Sequence, residues 1–143
     1  MSQLRLPYYE LSAQAMQGFL DTSKALSNSS LGKKFIELIY LRISQINGCS
    51  YCLAMHSKSL RENGETTARL DTLAGWRLSP YFTDAERAAL EWAESVTTIS
   101  TSHAPDDVYL PLKKHFNDVQ ISDLTFAVAL MNAFNRLDVS MKQ

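Results

Sequence analysis

The chain has 143 residues, 45% of them hydrophobic and 20% charged, with a formal net charge of −1. That length suits one domain, able to bury roughly 70% of the surface its unfolded form exposes. Acids and bases are interspersed and form no basic stripe, which argues against a nucleic-acid partner. The start, Met1-Ser2-Gln3-Leu4-Arg5-Leu6-Pro7, lacks the apolar core of a signal peptide. Apolar runs such as Phe126-Ala127-Val128-Ala129-Leu130-Met131 are too short to span a bilayer. A cytoplasmic chain with no membrane partner is expected.

Five glycines and four prolines punctuate the sequence, and apolar spacing is helical nearly throughout. The first helix is predicted from about Glu10 to Ser27, broken by Asn28-Ser29-Ser30. The second runs from about Leu31 to Ile46. Its stripe of Ile36, Ile39, Tyr40, Ile43 and Ile46 is widened by Phe35, Leu38 and Leu41, so it is central or lies in an interface. Asn47-Gly48 is a turn and C-cap signal. A helix from Cys49 to Arg61 ends at Asn63-Gly64, and Thr66 or Thr67 caps a short helix through Trp76. Thr83-Asp84-Ala85-Glu86 is a capping box, after which Ala85, Ala89, Trp92, Val96 and Ile99 mark a buried face. Pro105-Asp106-Asp107 opens a helix with Val108, Leu112 and Phe116 apolar, and Ser122-Asp123 is read as the cap of the last, ending near Met141. The prediction is an all-α domain of six or seven helices.

The chemistry concentrates in Cys49-Ser50-Tyr51-Cys52-Leu53-Ala54-Met55-His56, which holds the only two cysteines. In a reducing compartment a structural disulfide is not expected, so a close pair reads as redox-active or metal-binding. Spacings of three and four residues align Cys49, Cys52 and His56 on one helix face. Free amides and the dipole at the helix start favour thiolate over thiol, and His56 can accept a proton from Cys52. The thiolate is the nucleophile, and the other cysteine can resolve a sulfenic acid or mixed disulfide. Glu37 is an acid in the most apolar helix. An isolated buried charge is expensive, so Glu37 is expected to be partnered, either orienting His56 or pairing with Lys33 or Arg42.

Glu37, an eleven-residue gap, then Cys49-x-x-Cys52-x-x-x-His56, resembles the signature of the AhpD-like alkylhydroperoxidase group of the carboxymuconolactone decarboxylase superfamily. The flanking Ile46-Asn47-Gly48 and the C-terminal Met131-Asn132-Ala133-Phe134-Asn135-Arg136-Leu137 are similar too. The resemblance spans roughly Leu31 to Met141 and implies that residues 1–143 form a single AhpD-like helical domain, assembled as a homotrimer or homohexamer. It implies peroxide reduction with Cys52 peroxidatic, Cys49 resolving, His56 as base and Glu37 as relay. The substrate would be a hydroperoxide and the reductant an external dithiol or thioredoxin-like protein, with no metal or organic cofactor. Tyr51 stands where the best-studied branch carries a second histidine, so the proton relay is altered. In thioredoxin-like pairs the first cysteine is the more acidic; here the histidine lies nearer the second, which favours Cys52 as nucleophile.

Three other readings use the same residues: a disulfide reductase or redox adaptor, a non-catalytic redox-sensing oligomer, and a zinc site. Cys49, Cys52 and His56 offer zinc three ligands, and no second Cys-x-x-Cys or histidine pair supplies a fourth. His103 and His115 read as surface residues, Trp76 and Trp92 as core or interface anchors, and Met55 as packing. Asn132, Asn135, Arg136 and Asp138 crowd the second half of the last helix. They read as a solvated face with a capping network; alternatively Asn132 and Asn135 line an active-site mouth or a subunit contact.

Overall fold

The helical periodicity is realised along the whole of the described chain. In the computed structural model, which describes residues 3–143, no strand occurs among the described residues. Met1 and Ser2, the start of the N-terminal segment read above, lie outside the described residues. The elements are α1 (Tyr8–Leu11), α2 (Ala13–Ser27), α3 (Lys33–Asn47), α4 (Ser50–Glu62), α5 (Thr67–Thr72), α6 (Asp84–Thr97), α7 (Ile99–Ser102), α8 (Asp106–Tyr109) and α9 (Asp118–Met141). Tighter 3-10 turns, Leu73–Leu78 and Leu110–Lys114, prolong α5 and α8. Six of these helices exceed a single turn, in line with the expected number, and α1, α7 and α8 are additional single turns. No helix among the described residues is long and apolar enough to cross a membrane.

The most apolar helix is the central one, as its wide stripe requires. Leu38, Ile39 and Ile43 are at most 2% exposed although they point in different directions around α3, because α3 is packed against α9, α4 and α6. From α9, Leu124, Ala127 and Val128 fill the same core, and Trp76 and Trp92 are buried anchors. Trp76 Nε1 donates to Glu94 Oε1 at 2.8 Å, and Arg42 and Arg77 hold the same carboxylate at 2.8 and 2.7 Å. Burial alone would raise the Glu94 carboxyl; the Trp76, Arg42 and Arg77 hydrogen bonds overcome this and hold it below the usual carboxylate value. Arg42 is thereby committed to Glu94 and not to Glu37.

Several boundaries differ from the sequence expectation. The expected helix over residues 10–27 is interrupted at Ser12, whose φ of −120° and ψ of 50° are not helical. The first turn is pinned elsewhere: Tyr8 donates its hydroxyl to Asp138, and Arg5 N donates to Met141 O at 2.9 Å. The last helix starts before Ser122-Asp123, because Asn117 and Gln120 form a reciprocal capping box. Asp123 instead accepts from Ser29 Oγ at 2.6 Å. Thr66, not Thr67, caps α5, which gives way to a 3-10 turn around the non-helical Gly75. The Thr83–Glu86 capping box forms as expected. Ile99, expected on the buried face of α6, falls in α7 and is 53% exposed.

Candidate active site

Gly48 sets the entrance to the site. It ends α3 with φ of 67°, a left-handed conformation that glycine adopts without a Cβ clash. The chain then turns at once into α4, and Asn47 Nδ2 fixes the corner by donating to Asn132 Oδ1 at 3.0 Å and Asn135 Oδ1 at 3.1 Å on α9. Cys49 is the N-cap of α4, its sulfur accepting from Cys52 N at 3.3 Å. The geometry places Cys49 and Cys52, both 1% exposed, as a disulfide with Cα atoms 5.3 Å apart.

All four sequence-predicted residues converge here. His56 is buried one turn beyond Cys52 on α4. Its Nδ1 lies 3.3 Å from Glu37 Oε1 on α3, while Ser59 Oγ donates to Glu37 Oε2 at 2.9 Å. The carboxylate thus orients the ring, and Nε2 is left buried with no hydrogen-bond partner among the described residues. An unpartnered buried ring nitrogen is costly unless something arriving in the site engages it. Tyr40 packs its ring 5.5 Å from the imidazole, and its hydroxyl is pushed up to about 12 by burial and by the Glu37 charge.

A cleft of about 420 Å³ opens over this corner, lined by Cys52 and His56 together with Met16, Leu20, Phe134 and Tyr51. Cys49 does not line it. Tyr51 is 47% exposed at the rim and Met55 44%, so Met55 is a cleft residue and not the packing residue expected. His103 and His115 are exposed, as expected.

Two of the polar residues of α9 belong to the site. Asn135, fully buried, donates from Nδ2 to Cys52 Sγ at 3.1 Å and to Ser44 Oγ at 3.1 Å. Asp138 places Oδ2 at 3.1 Å from Cys52 Sγ and 3.8 Å from Cys49 Sγ, with Oδ1 accepting from Tyr8. The solvated-face reading of Asn132, Asn135 and Asp138 is therefore corrected: all three are buried, at a spacing of three along one side of α9. Asp138 and Tyr8 were not foreseen as site residues. The available signal was that polar spacing on a helix whose neighbouring Val128 and Met131 are core. The ligand atoms of Cys49, Cys52 and Asp138 lie within 4.8 Å of one another, a three-donor set that does not include His56. The zinc set of Cys49, Cys52 and His56 is thus not the one the fold gathers.

A family model described as the carboxymuconolactone decarboxylase family matches residues 12–95. The uncharacterized protein YdfG of Bacillus subtilis (strain 168) is 36% identical over 141 residues, covering 99% of this chain and 95% of its own. A crystal structure from Agrobacterium tumefaciens, of a protein of unknown function named as a candidate antioxidant defence protein AhpD, is 36% identical. It has a TM-score of 0.94 and covers 99% of this chain and 97% of its own. The apo debrominase Bmp8 shares the fold at a TM-score of 0.83 and 18% identity, over 94% of this chain and 72% of its own.

Proposed function

We propose that this chain, which belongs to the carboxymuconolactone decarboxylase family and has the AhpD-like fold, is a thiol-dependent peroxidase. The observation that carries the reading is that Cys52, and not Cys49, shares the cleft with the unpartnered His56. A hydroperoxide entering the cleft meets the Cys52 sulfur first. His56 takes the Cys52 proton, with Glu37 holding the ring and balancing its charge. The thiolate attacks the peroxide, the O–O bond breaks, and the leaving alkoxide takes the proton from His56. This leaves Cys52 as the sulfenic acid and His56 neutral. Cys49, one turn away, displaces the sulfenic oxygen as water and closes the disulfide. An external dithiol, or a thioredoxin-like protein, returns the pair to the reduced state.

The apolar lining by Met16, Leu20 and Phe134 favours an organic hydroperoxide over a small polar one. Val119 and Phe126, two turns apart on one face of α9, are 68% and 62% exposed, which supports a homotrimer or homohexamer that covers this face. Residues 1–143 act as one domain in this reading, in the cytoplasm, where thiol donors keep the cycle running.

The test is steady-state peroxide consumption with dithiothreitol by the wild type, Cys52→Ser and Cys49→Ser. Cys52→Ser abolishes consumption; in Cys49→Ser the Cys52 sulfenic acid has no resolving thiol and turns over only as fast as dithiothreitol condenses with it, well below the wild-type rate. Wild-type turnover in both variants would refute the mechanism. A wild type that reduces disulfides but leaves peroxide untouched would make the protein a disulfide reductase or redox adaptor.

A further inference from the structure

The carboxyl of Asp138 faces two sulfurs that carry no proton. In the disulfide neither Cys49 nor Cys52 can donate, yet Oδ2 sits 3.1 Å from one sulfur and 3.8 Å from the other. An ionised Oδ2 aimed at sulfur lone pairs, on a cleft-wall residue only 8% exposed, would have no donor among the described residues. A proton on Oδ2 removes that conflict, because the carboxyl then donates to Cys52 Sγ. The other oxygen is already satisfied by the Tyr8 hydroxyl.

From this geometry we infer that Asp138 is a further catalytic residue, holding on Oδ2 the proton that the thiol pair exchanges with each opening and closing of the disulfide. The inference rests on the dithiol–disulfide cycle proposed above. On reduction, a donor thiolate attacks one sulfur, the S–S bond breaks, and a mixed disulfide forms. The released cysteine sulfur takes the Oδ2 proton, leaving Asp138 ionised. A second donor thiolate then displaces the other cysteine and carries away the donor disulfide, so two electrons pass from two donor thiols to the pair. On re-oxidation, Asp138 takes the Cys49 proton as that sulfur attacks the Cys52 sulfenic acid. The departing hydroxide becomes water with a solvent proton.

The titratable groups facing Asp138 are Tyr8 from α1 and Cys49, Cys52 and His56 from α4. Burial raises the carboxyl above its ordinary value, and the Tyr8 hydrogen bond and the His56 charge oppose this only in part. Burial, and after it the Asp138 contact, lifts the Tyr8 hydroxyl above its ordinary value.

The experiment follows reduction of the oxidised full chain by dithiothreitol against pH, counting thiols, for wild type, Asp138→Asn and Tyr8→Phe. General acid catalysis is worth roughly 100-fold or more. Asp138→Asn is therefore expected to reduce about 100-fold more slowly and to lose one limb of the pH profile. Tyr8→Phe keeps that limb and moves it to higher pH, since the ionised carboxyl loses its donor. The oxidised-minus-reduced infrared difference spectrum carries a protonated-carboxyl band that Asp138→Asn lacks. A folded Asp138→Asn with the wild-type rate and profile overturns the inference, as does the absence of that band. If Asp138→Asn does not fold, Tyr8→Phe decides: a displaced limb supports the role and an unmoved limb overturns it. A wild-type pair that dithiothreitol cannot open would sink the thiol cycle itself, and this role with it.

Discussion

Replacing Asn135 with leucine nearly preserves side-chain volume while removing the amide that donates to Cys52 Sγ at 3.1 Å. A hydrogen bond to a charged group is worth roughly 1.5–3 kcal/mol, about a 10- to 150-fold change in the thiolate population below the thiol titration range. A more basic thiolate is also more nucleophilic, with a Brønsted slope near 0.5, so the net loss of reactivity is about 3- to 12-fold. The fold should survive. Ser44 Oγ still donates to Tyr40 O, and Asn47 Nδ2 keeps Asn132 Oδ1. The lost hydrogen bonds then cost roughly 2 kcal/mol, or a Tm lower by about 6 °C. The assay is alkylation of the fully reduced protein by iodoacetamide, with mass spectrometry assigning the modified cysteine. Asn135→Leu that alkylates at Cys52 within twofold of wild type, while folded by circular dichroism, would show that the Asn135 amide does not stabilise the Cys52 thiolate.

Two further outcomes are expected. Glu37→Gln leaves two titratable thiols but lowers peroxide turnover by about 10- to 100-fold, because the relay loses the charge that balances a protonated His56; unchanged turnover would remove Glu37 from the mechanism. Glu94→Ala strands Arg42 and the buried Trp76 N–H and costs roughly 3–4 kcal/mol in urea unfolding, with the half-exposed Arg77 adding little. The folded Glu94 carboxyl lies below its unfolded value, so its stabilisation is complete above that unfolded value and is lost as pH falls through the folded one. The acid-side slope of wild-type stability should accordingly flatten in Glu94→Ala.

What the sequence revealed depended on how local the signal was. The Thr83–Glu86 box and the Asn47-Gly48 corner are written in adjacent residues and form as read. The convergence of Glu37, Cys49, Cys52 and His56 could be read because one tight turn folds α3 back on α4. Asn117-x-x-Gln120 was overlooked because its residues are the less usual pair for a capping box. Asp138 and Tyr8 stayed hidden for a different reason. They lie 86 residues after and 44 before Cys52 in the chain; only the packing of α9 against α4 brings Asp138 to the sulfurs, and only the hydrogen bond from the Tyr8 hydroxyl brings Tyr8 to Asp138. A polar face on α9 is ambiguous by itself. It becomes a site wall once α3 and α4 cover it, which no periodicity along α9 reports.

Whether peroxide oxidises the Cys49–Cys52 pair through Cys52 is read by stopped-flow mixing of the fully reduced protein with an organic hydroperoxide, with thiols counted. Two thiols are expected to be lost per peroxide consumed in the wild type, with a trappable sulfenic acid on Cys52 in Cys49→Ser. Peroxide left unconsumed while both thiols persist, or a sulfenic acid forming on Cys49 in Cys52→Ser at the wild-type rate, would contradict oxidation through Cys52.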